Sequence, residues 1–128
     1  MPHVLVIDDQ VYARAAVAVA LRTSGFDVTG FENGSIALLA LENTHFDLAI
    51  VDIYMPNMDG IKLIRGMRER YPDLAVIAMS GAFLSSSGRT VLDILPAAGD
   101  LANVIRLKKP FRANELMRAV QLALGVTA

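Results

Sequence analysis

Asp8 with Asp9, Asp52, Ser80 and Lys109 each stand at the carboxyl end of an apolar run: Val4 to Ile7, Leu48 to Val51, Leu74 to Met79 and Val104 to Leu107. Buried strands that deliver three carboxylates, a hydroxyl and an ammonium to one rim imply a shared task. Two unit charges about 4 Å apart repel by about 4 kcal/mol at an effective dielectric constant of about 20, so clustered carboxylates imply a cation. Oxygen ligands without His or Cys favour Mg²⁺ or Mn²⁺ over zinc, and Mg²⁺ commonly keeps waters and a phosphate oxygen beside one or two carboxylates. Lys109 would bring a second positive charge and Ser80 a hydroxyl donor for the oxygens of a transferred phosphoryl group. Asp52, in the middle, would then be the nucleophile that becomes an acyl phosphate.

Each residue alone has a plainer reading. Asp8 and Asp9 suit the start of a helix, Ser80 before Gly81 is ordinary turn chemistry, and a lysine at a strand end is commonly solvated. Asp52, directly after Leu-Ala-Ile-Val, is the hardest to dismiss, because burial is expected there. The joint pattern carries the inference.

The elements that must position these groups alternate along the whole chain. Val4 to Ile7, Leu48 to Ile53 and Ala75 to Met79 are continuously apolar, as expected of central parallel strands covered on both faces. Phe26 to Phe31 alternates with Asp27 and Thr29 and is placed at an edge, and Val104 to Leu107 is the fifth strand. Helices are expected over Gln10 to Ser24, ended by Gly25; Asn33 to Glu42; Gly60 to Tyr71, capped by Asp59 and ended by Pro72; and Phe111 to Leu124, ended by Gly125. Between Ser80 and Val104, Ser85 to Gly88 reads as a loop and Arg89 to Leu95 as a helix that Pro96 must break. Five such units make a (βα)5 α/β chain, flavodoxin-like and doubly wound, with a parallel sheet of order 2-1-3-4-5. Ligands of such sheets bind where the order reverses, which is where Asp8, Asp9 and Asp52 fall.

The 128 residues suit one domain, 1–128, large enough to bury a core without staples. Hydrophobic residues make up 54% and the net charge is -1, so there is no basic footprint for nucleic acid. Cysteine is absent, which excludes disulfides and thiolate chemistry. The N-terminus lacks the pattern of a signal peptide, and no run reaches the roughly 18 to 20 apolar residues that cross a bilayer. A cytoplasmic protein is the default expectation.

Taken together, Val-Leu-Val-Ile-Asp8-Asp9, the stretch Val51-Asp52-Ile-Tyr-Met55-Pro56-Asn-Met-Asp59-Gly60, Ser80-Gly81 and Lys109-Pro110-Phe111 resemble the receiver domain of two-component response regulators, and the resemblance spans all 128 residues. It implies that Asp52 accepts a phosphoryl group from a histidine kinase or phosphotransfer protein in a Mg²⁺-dependent reaction. It further implies that Asp9 ligates the metal directly, that Asp8 does so directly or through water, and that the backbone carbonyl of Tyr54 completes the protein ligands. Ser80 and Lys109 would hold phosphoryl oxygens. Lys108 competes for the last role, but strand alternation puts it on the opposite side from Lys109. The resemblance implies a signalling module rather than a turnover enzyme. Its output would run through the surface of residues 82–106 and the last helix, as a monomer or as a dimer formed on phosphorylation.

The chain also departs from that family. Arg106 stands where receivers commonly carry an aromatic switch residue, and the interval from Ser80 to Lys109 is longer than usual. The expected readout therefore runs through Ala82 to Asn103 and through Arg106 exchanging polar partners. Tyr54 and Ala82, two residues beyond Asp52 and Ser80, are neither acidic nor amide-bearing, so self-dephosphorylation is expected to be slow. Three other readings remain: a receiver excised from a longer protein, an aspartate-nucleophile hydrolase, which Asp8-Asp9-Gln10 fails to match as Asp-x-Asp, and a phosphorylation-independent scaffold.

Overall fold

A computed structural model of the chain describes residues 1–55, 58–81, 83–84, 89–90 and 103–125. Five strands form one parallel sheet: β1 (His3–Ile7), β2 (Asp27–Phe31), β3 (Leu48–Asp52), β6 (Ala75–Ser80) and β9 (Ile105–Lys108). Their spatial order is β2-β1-β3-β6-β9, which is the expected 2-1-3-4-5, with the half-polar β2 at one edge. The helices are α1 (Val11–Thr23), α2 (Gly34–Asn43), α3 (Gly60–Arg70) and α4 (Ala113–Ala123).

Strand alternation sorts the core into two layers. Leu5, Ile7, Ala49, Val51, Val76 and Ala78 face α2 and α3, meeting Ala37, Leu41, Leu63, Ile64 and Met67. Val4, Val6, Leu48, Ile50, Ile77, Met79 and Leu107 face α1 and α4, meeting Val17, Ala18, Leu21, Leu116, Ala119 and Val120. Central strands covered on both faces need apolar residues at every position, which is why β1 and β3 read as unbroken runs.

The helix ends follow from single residues. Gly25 takes a φ of 95° after α1, a conformation in which a β-carbon would be strained. Asn33 caps α2 by accepting from the Ile36 N–H, and Asp59 caps α3 by accepting from the N–H groups of Ile61 and Lys62. Gly60 is required by proximity: a β-carbon there would lie 2.4 Å from the Cα of Ile53.

At the amino end of the sheet, two reciprocal hydrogen bonds tie β1 to the start of β3. His3 N–H donates to Asp47 Oδ2 at 2.9 Å, and Asp47 N–H donates to the His3 carbonyl at 2.9 Å. The His3 ring lies 4.2 Å from that of Phe46, and its Nε2 is 2.8 Å from Thr29 Oγ1 on β2. The His3 N–H holds the Asp47 carboxyl below the usual carboxylate value.

One expectation needs correction, and one element had not been foreseen. Arg89–Thr90 does not begin a helix: it is an extended pair, β8, antiparallel to β7 (Phe83–Leu84), while the remainder of the Arg89 to Leu95 reading lies outside the described residues. The chain leaving β3 also folds into an unanticipated short hairpin, β4 (Tyr54–Met55) with β5 (Met58–Asp59). Other element ends shift by one or two residues, and the described residues hold four helices. No described helix is long and apolar enough to cross a membrane.

Candidate phosphoryl-transfer site

The sequence order of the strands brings Asp8, Asp52 and Lys109 to one rim, and alternation aims them the same way. Asp8 continues the row of Val4 and Val6, Asp52 that of Leu48 and Ile50, and Lys109 that of Ile105 and Leu107, all on the side of α1 and α4. Lys109 Nζ donates to Asp8 Oδ2 at 2.8 Å and to Asp52 Oδ2 at 2.9 Å. The ammonium therefore bridges the two innermost carboxylates, of which Asp8 is fully buried and Asp52 is 6% exposed. Lys108, on the other row, is exposed.

The remaining oxygens are held by local backbone. Asp8 Oδ1 accepts from the Gln10 N–H at 3.0 Å, and Asp52 Oδ1 accepts from the Tyr54 N–H at 2.9 Å, each carboxylate closing a turn onto the residue two places on. Asp9 is exposed beside them. Ser80 is the fully buried last residue of β6, and its carbonyl accepts from the Lys109 N–H at 3.1 Å. Gly81 keeps that approach open, since a β-carbon there would lie 3.0 Å from Lys109 Cβ. Tyr54 projects outward with 64% of its surface exposed. Arg106 is exposed on β9, and Ala82 lies outside the described residues.

Burial pushes the Asp52 carboxyl above the usual aspartate value; the Lys109 hydrogen bond and the Tyr54 N–H offset this only in part, and the Asp8 charge adds to it. Burial also acts to lower the Lys109 ammonium, but the hydrogen bonds to Asp8 and Asp52, with their charges, outweigh it and hold the group above the usual lysine value. The two directions look opposed for one ion pair, and the count of charges explains them. Lys109 draws on two carboxylates, whereas Asp52 has only a share of one ammonium and faces a second carboxylate.

Among the described residues, Asp8, Asp9 and Asp52 are the one group of three or more acidic or imidazole side chains whose ligand atoms all lie within 4.8 Å of one another. A single ammonium among three carboxylates leaves negative charge over, all the donors are oxygen, and Asp9 opens the cluster to solvent. That donor set fits a hard divalent cation such as Mg²⁺. Beside the site, a groove of about 710 Å³ between α1 and α4 reaches Lys109 and Gly81.

Reading by residue type and spacing passed over Arg14. Its Nη1 donates to the Asp8 carbonyl at 2.7 Å. The only signal available was a cation in the opening turns of the helix that follows the acidic pair.

The model of the response regulator receiver domain family matches residues 4–121. The chain is similar to the response regulator receiver protein CpdR of Brucella abortus, 31% identical over 121 residues that cover 94% of this chain and 95% of that one. It is 35% identical over 122 residues to the DNA-binding transcriptional regulator NtrC of Escherichia coli, covering 95% of this chain but only 24% of NtrC. Among solved structures it resembles the response regulator TrrA of Thermotoga maritima in complex with Mg²⁺-BeF, with a TM-score of 0.76 and 25% identity over 94% of this chain and 97% of that one. TrrA bound to the histidine kinase ThkA gives a TM-score of 0.77, also at 25% identity, over 97% and 99%. With the matched segment running from β1 through most of α4 and including all the residues of the site, the chain belongs to the response regulator receiver domain family.

Proposed function

We propose that the chain accepts a phosphoryl group on Asp52 from the phosphohistidine of a sensor kinase or phosphotransfer protein, and passes the signal on by altered protein contacts or onward phosphotransfer. The observation that carries this reading is the Lys109 bridge between Asp8 and Asp52, with Asp9 open beside it at the carboxyl end of the sheet. In the transfer, a carboxylate oxygen of Asp52 bonds to phosphorus as the P–N bond breaks, and the imidazole leaves with the electron pair. Lys109 moves from Asp52 Oδ2 to a phosphoryl oxygen, and the Ser80 hydroxyl donates to another. Asp9, Asp52, Asp8 and the carbonyl of Tyr54 would hold Mg²⁺ or Mn²⁺, which neutralises charge on the phosphoryl oxygens when bound. The TrrA complexes with Mg²⁺-BeF and with a histidine kinase support the same reading for this chain.

The chain is on this reading a signalling module and not a turnover enzyme. Tyr54 brings no carboxylate or amide to the acceptor that would orient an attacking water, so the acyl phosphate is long-lived. Intact-mass measurement after treatment with acetyl phosphate and Mg²⁺ tests both points. The expected result is a gain of one phosphoryl group that disappears in Asp52→Asn and in chelator, and that decays over minutes or longer. No gain, a gain that persists in Asp52→Asn, or decay within seconds at room temperature would each count against it.

A further inference from the structure

Every hydrogen-bonding group of Asp8 is engaged. Its N–H donates to the Phe31 carbonyl at 3.1 Å, Oδ1 takes the Gln10 N–H at 3.0 Å, Oδ2 takes Lys109 Nζ at 2.8 Å, and its carbonyl takes Arg14 Nη1 at 2.7 Å. The last bond does not act on the Asp8 carboxylate at all. The Asp8 carbonyl belongs to the rigid peptide plane shared with Asp9, so holding that oxygen fixes the Asp9 N–H and Cα, and with the Gln10 carbonyl held as well it narrows the direction in which the Asp9 side chain departs. Asp9 needs this from outside: among the described residues none donates a hydrogen bond to its carboxylate, and it is exposed.

Arg14 is itself well placed to hold the turn. It is the fourth residue of α1, and its own N–H donates to the Gln10 carbonyl at 3.0 Å, so backbone and side chain grip the Asp8–Asp9–Gln10 segment from both ends. Its stem crosses the edge strand β2 at Gly30. A β-carbon on Gly30 would lie 3.0 Å from Arg14 Cδ and 3.1 Å from Cγ, while the nearest atoms all belong to Arg14. Glycine weakens a strand interior, and the extended backbone of β2 would accept a β-branched residue. The space that Gly30 leaves is therefore the space that Arg14 uses.

We propose that Arg14 is a positioning residue: seated in the gap over Gly30, it orients Asp9 towards a divalent cation by holding the Asp8–Asp9 peptide. The inference rests on the metal-binding reading of the acidic cluster given above. Three roles for Arg14 differ in sign. A guanidinium acting only by charge repels a dication, so its removal would tighten metal binding. A residue that only staples α1 to β1 would lower thermal stability and leave affinity unchanged. A positioning residue weakens binding when removed, and outer groups that orient metal ligands typically contribute about 10- to 100-fold in affinity.

Calorimetric titration of the full chain with MgCl₂, alongside thermal unfolding without metal, separates these roles. Arg14→Met keeps the stem over Gly30 and removes the guanidinium; the expected result is about 10- to 100-fold weaker Mg²⁺ binding. Gly30→Val leaves Arg14 in the sequence but fills its seat, and the expected result is weaker binding in the same direction, with Arg14→Lys lying between Arg14→Met and wild type. Affinity that is unchanged or tighter in Arg14→Met overturns the proposal, whatever happens to its melting temperature. If Arg14→Met does not fold, Gly30→Val decides, and wild-type affinity in that variant overturns the proposal. A wild-type chain that binds no Mg²⁺ overturns the metal reading as well, whereas a wild type that binds beside an unaffected Arg14→Met overturns the role of Arg14 alone.

Discussion

Lys109 serves two carboxylates with one ammonium, and removing it shows how much of the site depends on that sharing. Lys109→Met leaves Asp8 and Asp52 facing each other without a cation, and breaking a buried pair in this way costs about 3 to 5 kcal/mol. Urea unfolding at neutral pH without metal is the measurement, and a loss below about 1 kcal/mol would contradict the bridge, that being the scale of an exposed pair. The pH dependence has two parts of the same sign, one in the alkaline and one in the acid range. Lys109 is raised, so its contribution is complete below the ordinary lysine value and is lost as pH climbs through its higher folded value. Asp52 is also raised, so the folded state binds its proton more tightly than the unfolded chain. Wild type should therefore gain stability relative to Asp52→Asn as pH falls from neutral towards the ordinary aspartate value. The acidic residues and Lys109 were legible in the sequence because each interrupts or ends an apolar run, where a charge demands a reason. Arg14 was not: its role lies in a bond to a backbone oxygen, and a main-chain acceptor has no residue type to announce it.

At the scale of elements, the loop after β3 is shaped by contact as much as by turn chemistry. Gly60 opens α3 directly against Ile53, where a β-carbon would meet backbone at 2.4 and 2.7 Å. Gly60→Ala must move one of the two segments and is expected to destabilise the fold by about 1 to 3 kcal/mol. Because Ile53 lies between Asp52 and Tyr54, the same change should disturb the Tyr54 N–H that holds Asp52 Oδ1. Urea unfolding together with the Tyr54 amide chemical shift checks both effects, and an unchanged shift would separate the loop from the site. The main strands and helices were readable because continuous apolar runs, a cap such as Asp59 and terminating residues such as Gly25 leave strong local patterns. The two hairpins were not, since a strand of two residues is too short to show a period of two. That is also why Arg89–Thr90, extended in the structure, read as the start of a helix.

For the molecule as a whole, strand order follows from right-handed crossovers and the need to cover both faces, which is why 2-1-3-4-5 is legible in the sequence. The same topology makes the two ends of the sheet unlike. The carboxyl end carries charges held by a single shared ammonium, an arrangement that any incoming phosphoryl group must rearrange. The amino end carries the paired His3 and Asp47 bonds, which lock the first residues of β1 to the entry of β3, with the His3 ring reaching Thr29 on β2. Those three strands are thus clamped at this end like the fixed end of a beam, and on the phosphoryl-accepting reading a change of contacts would start from the other. Amide exchange at His3 and Asp47 should then follow global unfolding and stay the same with or without Mg²⁺ and beryllofluoride, while the amides of Asp9 and Tyr54 slow on their addition.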